Sequence, residues 1–261
     1  MKTLVCSVLA FVVTFASSTT AADKDPPSKP HVVFIIGEQE YETEKTLPAF
    51  AKKELEARLG WKCTFRHADP DDRNQISGLD VLTSADLLVL SVRRRAFPAD
   101  QFKHIRNYID AGKPLVGVRT ASHAFDTKGK APEGHTEWLK FDPEVLGGSY
   151  HGHYGNTTLA TITPNAKAKR HPILKGLANT SFQCGGSLYK AAPLANTCTP
   201  LLTGTIADAE PEPVAWTNTH RGGRVFYTSL GHPDDFDNPH FRRLLSNALI
   251  WTLASDANAT N

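Results

Sequence analysis

The chain is poor in the features that would place it outside ordinary globular proteins. It has a single methionine and four cysteines in 261 residues. No basic run is longer than Arg93-Arg94-Arg95, and 29 basic against 27 acidic side chains leave a formal charge of only +2, so an electrostatic footprint for nucleic acid is missing. Charged tails and arms are missing too. Gly and Pro, at 18 and 17 residues, are too few for a low-complexity or fibrous chain, and 21% charged residues is ordinary for a folded domain. None of the cysteines has C-x-x-C spacing, which argues against a thiolate metal site or a redox dithiol. Gly37-Glu-Gln-Glu40 lacks the glycine fingerprint for pyrophosphate, so neither a nicotinamide nor a flavin site is expected. The one excess is histidine: eleven in all, eight of them after residue 120.

The N-terminus reads as a targeting segment. Met1 and Lys2 precede an apolar run from Leu4 to Phe15, then small and hydroxyl residues through Ala22, then Asp23-Lys-Asp-Pro-Pro27. This is the order of a secretory signal over residues 1–22, cleaved after Ala21 or Ala22, with 23–30 as linker. A membrane span needs about 20 apolar residues, and no segment reaches that length. The mature protein is therefore expected to be exported, periplasmic or extracellular, with no stable membrane span. Cleavage removes Cys6 and leaves Cys63, Cys184 and Cys198. Either Cys184 and Cys198 pair across a short loop or all three remain free thiols.

From residue 31 the chain alternates strand and helix. His31 to Gly37 is an unbroken apolar run, as a strand buried on both faces requires. Thr46 to Leu59 carries a helical stripe closed by Gly60, and Trp61 to Phe65 is a second strand. Asp86 to Ser91 is a third strand, Pro98 to Ala111 a helix with Gly112 after it, and Pro114 to Val118 a fourth strand. This rhythm predicts a doubly wound, mostly parallel α/β sheet. In the second half, Asn156 to Thr163 and Leu201 to Ile206 read as strands, and Val214 to Thr219 with Arg224 to Ser229 as a hairpin. These predict antiparallel additions, and Pro239 to Leu253 a closing amphipathic helix. Residues 31–254 form one domain, followed by a tail at 255–261.

Ligands of open parallel sheets sit beyond the carboxyl ends of the strands, and the chemistry-bearing residues follow the strands. Glu38 and Tyr41 come after the first, His123 after the fourth, and His232 and Asp234 after the hairpin. Gly117-Val-Arg119-Thr-Ala121 has the pattern of a strand running into a nucleophile elbow, with Arg119 at the apex. Arginine cannot attack as a nucleophile, but its fork binds carboxylates and its charge polarises oxygen; a structural ion pair is the other reading. His232 followed by Asp234 suits a base and its orienter. His151 and His153, in a loop with four glycines, suit hydrogen bonding to substrate, metal ligation with His123 or His232, or loop structure alone. His135 suits a helix cap better than a lid.

Five motifs in order carry a family resemblance: Gly117-Val-Arg-Thr-Ala-Ser-His-Ala-Phe125, Leu146-Gly-Gly-Ser-Tyr-His-Gly-His153, Val214-Ala-Trp-Thr217, Gly223-Arg-Val-Phe-Tyr-Thr-Ser-Leu-Gly-His232 and Leu249-Ile-Trp251. Over about residues 31 to 253 the chain resembles the ThuA-like, or trehalose-utilisation, family, which is similar in fold to flavodoxin-like class I glutamine amidotransferases. The resemblance implies sugar catabolism, particularly of disaccharides that partner dehydrogenases oxidise to 3-keto forms. The amidotransferase elbow carries Cys in a G-x-C-x-G turn. Arg119 replaces it here, which excludes a Cys-dependent glutaminase, while His232-Pro-Asp234 keeps a version of the other two members. Many relatives place His at the apex, so Arg119 with His123 behind it is similar to a subgroup variant.

The expectation is an exported enzyme, a lyase, isomerase or hydrolase, acting on a disaccharide or 3-keto sugar. His232 would act as general acid or base oriented by Asp234, and Arg119 and His123 would complete the catalytic set. Glu38, Tyr41, His151 and His153 would line the pocket. A non-catalytic carbohydrate-binding module is the first alternative. A zinc-dependent hydrolase is the second. A sugar dehydrogenase is the expected functional partner, and nothing indicates an oligomeric state.

Overall fold

A computed structural model describes residues 29–129 and 131–254. The signal segment, most of the linker and the tail lie outside these residues. Numbered along the chain, the strands of the first half are β1 (His31–Gly37), β2 (Lys62–His67), β3 (Leu87–Val92), β4 (Phe97–Pro98), β5 (Leu115–Val118) and β6 (His135–Thr136). The second half adds β7 (Leu159–Pro164), β8 (Phe182–Ser187), β9 (Thr199–Thr205), β10 (Glu212–His220) and β11 (Gly223–Thr228). The helices are α1 (Thr43–Phe50), α2 (Ala99–Asp110), α3 (Pro233–Asp237) and α4 (Pro239–Leu253).

Nine strands form one sheet in the order β2-β1-β3-β5-β11-β10-β9-β7-β8. The first five run parallel, and the last four are joined by antiparallel pairings. The doubly wound, mixed architecture is as expected, with one correction at the seam. The hairpin expected to be wholly an antiparallel addition contributes β11 to the parallel half, beside β5 with Phe226 opposite Val116 and Tyr227 opposite Gly117. The reason is burial: Val225, Phe226, Tyr227 and Thr228 are all inside, as a strand covered on both faces must be.

Strand pleating sends alternate residues to opposite layers. Val32, Phe34 and Ile36 of β1 join Leu47 of α1 and Phe241, Leu245 and Leu249 of α4 in one core. Val33 and Ile35 join Phe102, Ile105 and Ile109 of α2 in the other. Each such side chain contributes roughly 1.5–3 kcal/mol on burial.

Local differences have local causes. The first helix begins three residues earlier than Thr46 and widens into a π-helical stretch over Ala51–Ala57 before Gly60, at φ 66°, ends it. His135 caps no helix; it sits in β6, paired with Pro98 of β4. Cys63, Cys184 and Cys198 are free, and the Cys184 thiol donates to the Gly186 carbonyl at 2.9 Å. No helix among the described residues is long and apolar enough to cross a membrane.

Candidate functional site

The elbow forms where expected. β5 ends at Val118, and Arg119 turns into the left-handed region at φ 48° before a 3-10 turn over Arg119–His123. A non-glycine residue there costs about 1–3 kcal/mol, so the surroundings must impose it. The Tyr227 hydroxyl donates to the Arg119 carbonyl at 2.6 Å and lies 2.8 Å from Ser122 Oγ, whose hydroxyl can donate to it. Gly117 makes the close packing possible, since a Cβ there would lie 3.1 Å from the Tyr227 ring and 3.2 Å from Ala121 Cβ.

The Arg119 side chain is 2% exposed. One Nη1 donates to the carbonyls of Ser229 at 2.6 Å and Ser187 at 3.3 Å, and Nη2 donates to Ser187 Oγ at 3.4 Å. The rings of Tyr41 and Tyr189 lie over the guanidinium at 4.3 and 4.4 Å. No carboxylate pairs with it among the described residues, so the structural ion pair is not what holds it. Carbonyl oxygens and aromatic faces do. Burial works against this charge, but Tyr189, Tyr41 and the Asp235 carboxylate outweigh it and raise the pKa, and Arg119 stays protonated. β8 passes directly above: a Cβ on Gly186 would stand 2.8 Å from Arg119 Nη2 and 3.0 Å from His232 Cβ.

Aromatic rings continue the wall. His123, 5% exposed, lies 4.4 Å from the Tyr150 ring and 6.0 Å from Tyr189. Burial, reinforced by Arg94, Arg93 and Arg119, lowers its pKa to about 2, so it is a neutral imidazole. His153 Nδ1 is 2.6 Å from the Tyr150 hydroxyl. His151 does not join them; it is exposed, and its backbone N–H donates to the Lys190 carbonyl. Tyr150 and Tyr189 are wall residues that sequence reasoning did not single out, because a lone tyrosine carries no positional signal.

His232 stands at the rim, its side chain 31% exposed and its ring 6.1 Å from that of Tyr41. Its Nδ1 accepts from the backbone N–H of Asp234 at 3.4 Å and so caps α3. With Nδ1 accepting, the neutral ring carries its proton on Nε2. Asp234 reaches Nδ1 only at 3.6 Å from a side chain 75% exposed, which is a loose orienter. The acid that organises this corner is Asp235. It is 1% exposed and accepts from the backbone N–H groups of Gly185 at 2.7 Å, Gly231 at 2.8 Å and His232 at 2.9 Å. Beside it, a concavity of about 400 Å³ opens between α1 and α3, with Phe50, Asp234 and Arg242 in its lining.

Glu38 differs from its expected place in the pocket lining. Its carboxylate accepts from the backbone N–H groups of Tyr41 at 2.9 Å and Thr43 at 3.0 Å and from the Thr43 hydroxyl. It secures the turn that delivers Tyr41 to Arg119. His123, His151, His153 and His232 do not converge, and among the described residues no three His, Cys, Asp or Glu side chains are grouped to hold a metal ion.

The solved structures this chain is similar to include ThuA-like proteins of Bacteroides uniformis and Parabacteroides merdae. The first is 16% identical, with TM-score 0.65 over 92% of this chain and 98% of that one. The second is 17% identical, with TM-score 0.65 over 87% and 91%. A carbohydrate deacetylase aligns at TM-score 0.56 and 13% identity, over 86% of this chain and 32% of the larger protein. These likenesses are of fold. No curated protein matches the chain. The sequence profile described as "ThuA: Trehalose utilisation" matches residues 31–252, and the chain belongs to that family.

Proposed function

We propose that this ThuA-family chain is an exported protein of carbohydrate catabolism that binds a disaccharide or its 3-keto derivative and acts on it by acid–base chemistry, without a thiol nucleophile. The observation that carries this reading is the pairing of a buried cation with a free proton donor. Arg119 lies beneath the Tyr41 and Tyr189 rings, and His232 stands at the rim with Nδ1 committed to a helix cap. A sugar stacks its C–H faces on aromatic rings, and Tyr41 and Tyr150, both half-buried, offer such faces. Negative charge developing on a ring or keto oxygen is stabilised by a fixed cation in a low-dielectric site. The imidazolium form of His232, supported by the nearby Asp234 carboxylate, gives its Nε2 proton to that oxygen or to a leaving group and is left as the neutral ring.

One observation favours the non-catalytic module instead. Both Nη groups of Arg119 are engaged by Ser187 and Ser229 and its faces by the two tyrosines, and no nucleophile replaces it at the apex. The zinc-dependent hydrolase has no comparable support, since its four candidate histidines stand apart. The deciding experiment incubates the mature protein with glycosides and their 3-keto forms and follows products by NMR. Turnover that falls about 10²- to 10⁴-fold in His232→Ala supports the enzyme. Binding without turnover supports the module. N-terminal sequencing of the exported protein checks the cleavage, expected to leave Ala22 or Asp23 first.

A further inference from the structure

The run Arg93-Arg94-Arg95, which is too short to bind nucleic acid, lies at the carboxyl end of β3, in the centre of the parallel half and next to the elbow. Its three members do different things. Arg93 turns outward and pairs with Glu40 on the loop after β1, Nε to Oε2 at 2.6 Å. Arg95 is 5% exposed and turns back on its own loop, its Nη1 donating to the carbonyl of Arg93 at 2.5 Å. Arg94 sits between them in the left-handed region at φ 50°. Its backbone N–H donates to the His123 carbonyl at 3.0 Å, which locks the strained residue to the elbow.

The Arg94 guanidinium makes no hydrogen bond and no ion pair among the described residues, and its Nη1 is buried without a partner. A half-buried cation of this kind is costly unless something answers its charge. Three nearby acids do not. Glu40 is taken by Arg93, Asp126 accepts from the backbone N–H of Lys128 at 2.8 Å, and Asp142, which feels the charge of Arg94, has its pKa raised by burial to about 8 and so is mostly uncharged at neutral pH. Arg94 nevertheless acts on the aromatic wall, since its charge is felt by both His123 and Tyr150. Three further buried nitrogens in the same corner, Arg95 Nε, Arg119 Nε and His123 Nδ1, also lack partners. The corner therefore holds three buried or half-buried guanidinium groups, those of Arg94, Arg95 and Arg119, and among the described residues no carboxylate is bonded to any of them.

We infer that the site takes an anionic carbohydrate, one bearing a carboxylate or phosphate group, and that Arg94 is the residue that pairs with that group beside the His123 and Tyr150 rings. The inference rests on the carbohydrate reading and adds the charge of the substrate. Arginine suits the role because its planar fork meets either oxyanion with two parallel hydrogen bonds. The strained backbone suits it as well, because strain persists where the surroundings fix a side chain for a task.

The test is calorimetric titration of the mature protein with D-glucose, D-glucuronate and D-glucose 6-phosphate, and with trehalose and its C6-carboxylate and 6-phosphate counterparts. The variants are Arg94→Asn, which suits the left-handed backbone, and Arg94→Lys, which keeps the charge; circular dichroism checks their folds. The expected result is that an anionic form binds about 10- to 100-fold tighter than its neutral counterpart, with a preference that shrinks as salt is added. The carboxylate and phosphate arms show which oxyanion is preferred. The preference should collapse in Arg94→Asn and be partly kept in Arg94→Lys. Equal binding of neutral and anionic forms, or a preference unchanged in Arg94→Asn, overturns this inference and leaves the carbohydrate reading standing. Failure of every sugar to bind overturns both.

Discussion

The carboxylate of Asp235 holds the backbone amide of His232 at 2.9 Å, while the carboxylate of Asp234 stands 3.6 Å from the imidazole. The two neighbouring acids thus divide between backbone and side chain. Asp235→Ala would leave the amides of Gly185, Gly231 and His232 without their acceptor, one of them buried and two half-buried. A loss of about 3 kcal/mol or more is expected in urea unfolding. Asp234→Ala, at an exposed side chain, should change stability by no more than about 0.5 kcal/mol.

His232 has two separable jobs, the cap on α3 and the free Nε2. Asparagine is a good cap but has no titrating proton to give. His232→Asn should therefore unfold within about 0.5 kcal/mol of the wild type, yet lose turnover about as fully as His232→Ala. A stable His232→Asn variant with undiminished turnover would remove His232 from the chemistry.

His123 makes stability depend on acid. Burial holds its pKa near 2 in the folded chain, against 6.5 when free. Above pH 6.5 neither state binds the proton and there is no effect. Below it the unfolded chain takes up a proton that the folded chain refuses, and stability falls by up to about 1.4 kcal/mol for each pH unit. His123→Phe, which keeps a ring against Tyr150, should flatten this decline between pH 7 and 5 in urea unfolding.

Asp142 works in the opposite sense. Burial, helped by Asp126, raises its pKa from 3.8 to about 8, with Arg94 pulling the other way. Between those values the folded state keeps a proton that the unfolded state has released, so stability falls as pH rises through the window. Asp142→Asn, which mimics the protonated acid, should raise the melting temperature at pH 7 by an amount worth about 1 kcal/mol or more. The gain should vanish near pH 4.

The parallel half was readable from sequence because its physics is local. β1 and β3 are buried on both faces and so appear as unbroken apolar runs, and Pro98 and Gly112 bracket α2. The elbow was readable for the same reason, since Gly117 and the residues after it set the turn. β8 was not. Gly185 and Gly186 weaken any strand pattern, and they are there because a Cβ on either would run into Asp234 or Arg119, contacts fixed by distant parts of the chain. Asp235 stands beside His232 and Asp234 in the sequence, and the orienting role read for Asp234 passed it over, although an acid three places after the cap is the signal of a capping box. Glu38 stood in a cluster of acids that resembled a pocket, and only the fold shows its oxygens turned to the Tyr41 and Thr43 amides.

The bonds that satisfy Arg119 also order events in time. Its carbonyl partners, Ser187 and Ser229, follow it by 68 and 110 residues. Until β8 and β11 are in place the guanidinium has no carbonyl to bond and must stay in water, so the elbow cannot close on its own. A chain truncated before β11 would keep four of its five parallel strands but lose the Ser229 carbonyl and the Tyr227 hydroxyl that hold Arg119 in place.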